Sequence, residues 1–216
     1  MKFLGKTFAI AFLSFFAISA HAAERAPFQL SLVHPLQIYP RETQVRGLRI
    51  NLLYGVNDEV KGLDVGVVNR TTGLTQGLQY GVVNITEKLN GLQFSGIYVG
   101  ANIATEDVSG GQIFFSLVGF NKSGNVKGLQ LAGLLAGLNM AKDLKGTQIS
   151  GILGVNLAEN TTGVQLATLY NQAEEMKGVQ IGLVNICRQM TGVQIGLANI
   201  IKESEVPFFP IVNARF

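Results

Sequence analysis

Gly178-Val179-Gln180-Ile181-Gly182-Leu183-Val184-Asn185 is answered 14 residues later by Gly192-Val193-Gln194-Ile195-Gly196-Leu197-Ala198-Asn199. The same phrase opens at Gly47, Gly62, Gly77, Gly91, Gly110, Gly128, Gly146 and Gly163. Degenerate copies at 27–34 and 206–213 frame the series, so twelve openings follow one another at intervals of 14 to 20 residues. Return at that period marks a repeat architecture in which each unit packs on its neighbours.

Within one copy the apolar residues alternate. Val179, Ile181 and Leu183 fall on one face with Asn185, and Gly178, Gln180, Gly182 and Val184 on the other. Period two over eight residues is a strand signal. Two or three glycines in most copies argue against a helix, where each costs about 0.5–1 kcal/mol relative to Ala. Parity therefore predicts a buried Val/Ile/Leu row closed by Asn and an outward Gln/Gly row.

The segments between copies are polar: Asp58-Glu59, Thr86-Glu87-Lys88, Thr105-Glu106-Asp107, Ala141-Lys142-Asp143, Ala173-Glu174-Glu175 and Lys202-Glu203-Ser204-Glu205. They are expected as turns, where charge stays solvated. Each opening glycine tends to follow an apolar and then a polar residue, as in Val60-Lys61-Gly62, Leu89-Asn90-Gly91, Val126-Lys127-Gly128, Leu144-Lys145-Gly146 and Met176-Lys177-Gly178. The connection thus brings its own core anchor. The copies at Gly91, Gly110 and Gly128 run 12 residues from Gly to Asn against eight at Gly178, and the extra residues are expected inside the strand.

Residues 1–22 read as a signal peptide: Lys2 and Lys6, an apolar stretch from Phe8 to Ile18, and the Ala20-His21-Ala22 cleavage pattern. A single β-repeat domain, 23–216, would remain, exported to the periplasm, outer membrane or cell surface. Lys2 and Lys6 account for two of the 17 Lys+Arg, leaving 15 against 14 Asp+Glu, a balance that does not point to nucleic acid. Cys187 is the single cysteine, which excludes an internal disulfide and favours a small apolar role.

Two all-β architectures fit. In a β-solenoid of about 11–12 coils (a parallel β-roll or β-helix), each copy is one coil and like residues stack. In a 12-stranded antiparallel outer-membrane β-barrel, a pore or passive surface protein, each copy is one strand. The terminal alternation of Phe208, Pro210, Val212, Ala214 and Phe216 favours the barrel. The absence of Trp, only five Tyr, a lumen face poor in charge, and Pro207 and Pro210 at opposite parity favour the solenoid, in which the last copy caps the stack. The solenoid is the preferred expectation.

The phrases at 178–185 and 128–139 resemble those of bacterial exported surface-repeat proteins with tandem G-[VL]-Q-[IL]-x-G-L-x-N copies. The resemblance covers nearly all of the chain beyond residue 22. It implies a cell-envelope location and carries over no catalytic residue or assigned activity.

Chemistry is sparse. His34 sits in the slot that Asn fills elsewhere, without the second His or Cys that a metal would need. Glu174-Glu175 reads as a solvated turn rather than an acid/base pair. The calcium-binding nonapeptide and the phosphate-cradling glycine motifs are absent. No catalytic, metal-binding or cofactor-binding residue is predicted, and a non-enzymatic structural or interaction role is expected. Two rows stand out. Asn69, Asn84, Asn102, Asn121, Asn139, Asn156, Asn171, Asn185 and Asn199 form a candidate structural ladder. Gln79, Gln93, Gln112, Gln130, Gln148, Gln165, Gln180 and Gln194 form a candidate interaction face for an envelope protein or glycan, unless the amides only satisfy one another between coils.

Overall fold

The computed structural model describes residues 24–216; the signal segment proposed for 1–22 lies outside them. The described chain is all-β and forms one continuous sheet of 16 strands. Successive copies stack in parallel and in register: Gly146 pairs with Gly163, Gln148 with Gln165, and Asn139 with Asn156. The same match continues through Gly178, Gln180 and Asn171 to Gly192, Gln194 and Asn185. The fold is a β-solenoid of about ten turns, and the barrel alternative is set aside because neighbouring copies run parallel rather than antiparallel.

Each coil has two straight arms, one carrying the Gln position and one carrying the Asn position. The arms are joined by a narrow corner after the Gln and by a charged corner after the Asn. Asp58-Glu59, Glu87, Thr105–Asp107 and Lys202–Glu205 break the strands as turns or bends, as expected. In the later coils the charged corner instead remains in the sheet ladder, so that one strand runs Leu153–Ala167 through Asn156, Glu159 and Gly163. The bend is made at the opening glycine. From Gly47 to Gly192 all ten openings have φ between +125° and +147°, a region that L side chains avoid. The coil below closes the remaining space: a Cβ on Gly163 would lie 2.0 Å from Gly146 O. Steric exclusion thus explains why every period opens on the same residue.

The two framing copies behave differently. Residues Arg25–Val33 stack in parallel on the Gly47 copy, with Gln29 level with Arg49, and a short return strand, Leu36–Gln37, folds back on them. The C-terminal strand Phe208–Arg215 lies antiparallel on the Gly192 coil. It caps the stack as expected of a terminal copy, but as a single reversed strand rather than another coil. The count is therefore about ten turns rather than 11–12.

The interior inverts the parity reading. Every Gln from Gln79 to Gln194 and every Asn from Asn69 to Asn199 in the two rows is 0% exposed. Ile181, Leu183, Ile195 and Leu197 point outward. Two facts account for the inversion. Parity does not carry across the narrow corner at Gly182-Leu183, so Gln180 and Asn185 both turn inward from facing arms. The space between the arms is also filled by amides that bond to identical amides one coil away, and a buried polar group with its hydrogen bonds made is not penalised. The two apolar core clusters lie at the charged corner, where the predicted anchors Val60, Leu89, Val126, Leu144 and Met176 are buried. Leu89, Val126 and Leu144 pack with Ala104, Val108 and Ala158.

The longer middle copies also differ from expectation. Their extra residues sit in the narrow corner, at Gly96-Ile97-Tyr98, Phe115-Ser116-Leu117 and Gly133-Leu134-Leu135, rather than inside a strand. The widened corner encloses the Phe114 ring, which is 0% exposed. It packs so closely on Gly96 and Gly119 that a Cβ there would meet the ring at 1.8 and 2.2 Å.

Candidate functional site

Two amide columns run the length of the coil stack. In the Gln column each Nε2 donates to the Oε1 of the coil before it: Gln194 to Gln180, Gln180 to Gln165, Gln165 to Gln148, Gln148 to Gln130, Gln130 to Gln112, Gln112 to Gln93 and Gln93 to Gln79, all at 2.7–2.9 Å. The Asn column runs the other way. Asn69 donates to Asn84, and the series passes through Asn102, Asn121, Asn139, Asn156, Asn171 and Asn185 to Asn199 at 2.8–3.0 Å. The columns' amide dipoles therefore oppose one another. Second donors cross the interior: Gln130 Nε2 also reaches Met140 O, and Asn139 Nδ2 reaches Ile149 O. The Asn ladder stands as expected. The proposed interaction face of Gln79, Gln93, Gln112, Gln130, Gln148, Gln165, Gln180 and Gln194 does not, because these amides face inward and bond to one another.

A one-way column must start and stop somewhere. The Gln column ends on a carboxylate: Gln79 Nε2 donates to Asp64 Oδ2 at 2.8 Å. Asp64 holds the Gln slot of the Gly62 copy and Arg49 that of the Gly47 copy. Arg49 grips Asp64 with Nε at 2.7 Å and Nη2 at 2.6 Å, and both side chains are fully buried. Asn51 Nδ2 adds a further donor to Asp64 at 3.0 Å while starting the Asn column on Asn69 at 2.7 Å. Gly55 stands level with Asn69, and a Cβ there would collide with the Asn51 amide at 1.7 Å. The acceptors left over at the two column ends, Gln194 Oε1 and Asn51 Oδ1, have no partner. Arg49 and Asp64 were not among the residues expected from the sequence; opposite charges in the same repeat slot of adjacent copies are their signal.

The remaining candidates resolve structurally. His34 lies outside the Asn column, one residue beyond the Val33–Tyr54 pair, with Nδ1 3.4 Å from Gln37 Oε1 and its ring edge-on to Tyr54. Glu174 and Glu175 lie 3.4 and 3.6 Å from Arg188, which also bonds Glu203 at 2.8 Å. Hydrogen bonds from Gln189 and Arg188 hold the Glu203 carboxyl below its ordinary range. Cys187 is buried with Ala173, Met176, Met190 and Ile201, and desolvation pushes its thiol up to about 12. Among the described residues no three His, Cys, Asp or Glu side chains gather in a way that could hold a metal ion.

The outer surface carries the strongest asymmetry. From Gly77 to Asn199 no charged residue falls between an opening Gly and the Asn of its copy; every charge lies in the Asn-to-Gly segments. The narrow corners form an apolar crest, with Ile97, Tyr98, Phe115, Leu134, Ile152 and Leu197 more than half exposed. Beside the crest, on the outer side of the Asn arms, lies an open groove of about 740 Å³ lined by Val99, Val118, Phe120, Leu138 and Val155. The apolar surface thus wraps from the crest onto the flanks, and the charged corners form the opposite edge.

Comparison with protein-family models, with curated proteins and with solved structures finds no match to this chain.

Proposed function

We propose that the chain is an exported, non-enzymatic repeat protein of the cell envelope, acting through its outer surface in a structural or interaction role. The observation that carries this reading is the division of labour among side chains. The repeated polar groups are consumed inside the stack by amide columns, while the surface repeats one pattern of apolar crest and charged edge over ten coils. A rod that presents the same surface at each step suits extended contact. The leader-like 1–22 segment and the resemblance of the repeats to exported bacterial surface-repeat proteins support an envelope location.

Expression of the full chain in a Gram-negative host, followed by N-terminal sequencing and cell fractionation, tests the reading. The expected product begins at Ala23 and is recovered with the envelope or periplasm. A product that retains Met1 and stays in the cytosolic fraction would overturn it.

A further inference from the structure

We propose that the apolar crest and its flanks seat in one leaflet of a lipid membrane, with the solenoid axis in the membrane plane and the charged corners in water. Which membrane the chain meets rests on the envelope reading above; the seating itself rests on the outer surface.

Four observations select lipid. The first is extent. Ten coils at about 4.8 Å per step make a crest of about 45 Å, and contiguous exposed apolar patches beyond a few hundred Å² mark interaction surfaces. The second is depth. The uncharged arm from Gly128 to the corner at Gly133 is five residues long. At about 3.3 Å per residue it spans roughly 17 Å, close to the ~15 Å half-thickness of the hydrocarbon layer.

The third observation is backbone satisfaction. Hydrocarbon accepts exposed backbone only when its polar groups are bonded internally. The crest corners meet that condition coil to coil: Leu134 N donates to Ser116 O at 2.7 Å, Ile152 N to Leu134 O at 3.0 Å, and Ala198 N to Leu183 O at 2.9 Å. The Ser116 hydroxyl is likewise turned to Ile97 O. The fourth is shape. The crest is a convex ridge, and two such ridges meet along a line, so a second copy would leave most of each flank wet. A fluid medium covers both flanks at once. The charged edge opposite, with Lys145 and Lys177 among its acids, gives the stack the two-sided character of interfacial elements.

The chain contains no Trp, which makes a depth measurement direct. Two single-Trp variants of the full chain are prepared, Leu134→Trp on the crest and Thr162→Trp on the charged edge. Each is mixed with vesicles of phosphatidylethanolamine and phosphatidylglycerol whose acyl chains carry bromine. Because both variants share the leader, a leader held in lipid cannot distinguish the two edges. The expected result is strong quenching and a blue shift at position 134 only. Placing Asp at Leu134 and Ile152 together should weaken vesicle binding by at least roughly tenfold, since charge on a lipid face is unfavourable in a depth-dependent way. Equal quenching at both positions, or none, would overturn the proposal. So would crest burial without lipid in a discrete dimer seen by sedimentation. Cytosolic retention in cells would count against export while leaving the vesicle result intact.

Discussion

Arg49 and Asp64 meet inside the first coils through two hydrogen bonds of 2.7 and 2.6 Å, and both stand in slots that every copy from Gly77 to Gly192 fills with Gln. The pair is how the Gln column stops. A run of amides that all donate in one direction presents an amide nitrogen at its leading end, and Asp64 accepts it. Arg49 then balances the carboxylate and spends its remaining donors on Asn57 Oδ1, Arg70 O and Thr71 Oγ1.

Removing one member of this pair should be far worse than removing both. Arg49→Met leaves a buried carboxylate without its counter-charge and should cost about 3–5 kcal/mol. Arg49→Gln with Asp64→Gln extends the column in its own chemistry and should recover most of that loss. Urea unfolding of the two variants makes the comparison; equal losses in both would mean that the pair is not the terminus of the column.

Charge placed inside the Asn column should be poorly tolerated. Asn139 Nδ2 donates to Asn156 Oδ1 at 2.9 Å with both residues fully buried. Asn139→Asp with Asn156→Asp would set two carboxylates in that contact, and at neutral pH the pair should cost at least about 3 kcal/mol. Acid should restore part of the stability, because protonating one carboxyl recreates a donor between them. Thermal melting at neutral and mildly acidic pH reads both effects.

How much of this was legible in the sequence depends on the element. The repeat period and the core anchors at Val60, Leu89, Val126, Leu144 and Met176 follow from the spacing of the repeats. Parallel stacking did not, because the same spacing also fits the antiparallel strands of a barrel. The facing of Gln180 and Ile181 did not follow. Alternation separates two faces of a strand without saying which is inside, and the usual assumption that apolar means buried fails here. The interior favours a flat amide that bonds to its own copy one coil away. Asp64 and Arg49 were visible as departures from the Gln slot, yet their meaning needed the direction of donation, which only the paired geometry supplies.

Opening glycines should be irreplaceable where Gly111 is not. Gly163→Ala would force a Cβ at φ +139° to within 2.0 Å of Gly146 O and should cost at least about 3 kcal/mol. Gly111 has no positive φ, and its nearest neighbour is a flexible Leu92 methyl at 3.2 Å. Gly111→Ala should therefore stay within about 1 kcal/mol of the parent protein. Chemical denaturation of the two variants side by side tests the contrast.

Cys187 should behave as a buried thiol. Desolvation raises it from an ordinary value of 9.0 to about 12, so the unfolded chain releases this proton first. Its contribution to stability is complete below pH 9 and declines as pH rises through the window from 9 to about 12. Alkylation by iodoacetamide at pH 8.5 should be slow in the folded protein and should track unfolding. Rapid labelling of the native state would contradict the buried position.

The central claim is that the amide rows face inward and the aliphatic rows outward. Side-chain amide hydrogen exchange, read by NMR on the folded chain, tests it most directly. The Nε2 hydrogens of Gln148 and the Nδ2 hydrogens of Asn139 should exchange only through unfolding of the stack, far more slowly than those of exposed Gln189. Exchange at the rate of a free amide, in a chain whose backbone amides remain protected, would place the Gln and Asn rows on the outside and contradict the account.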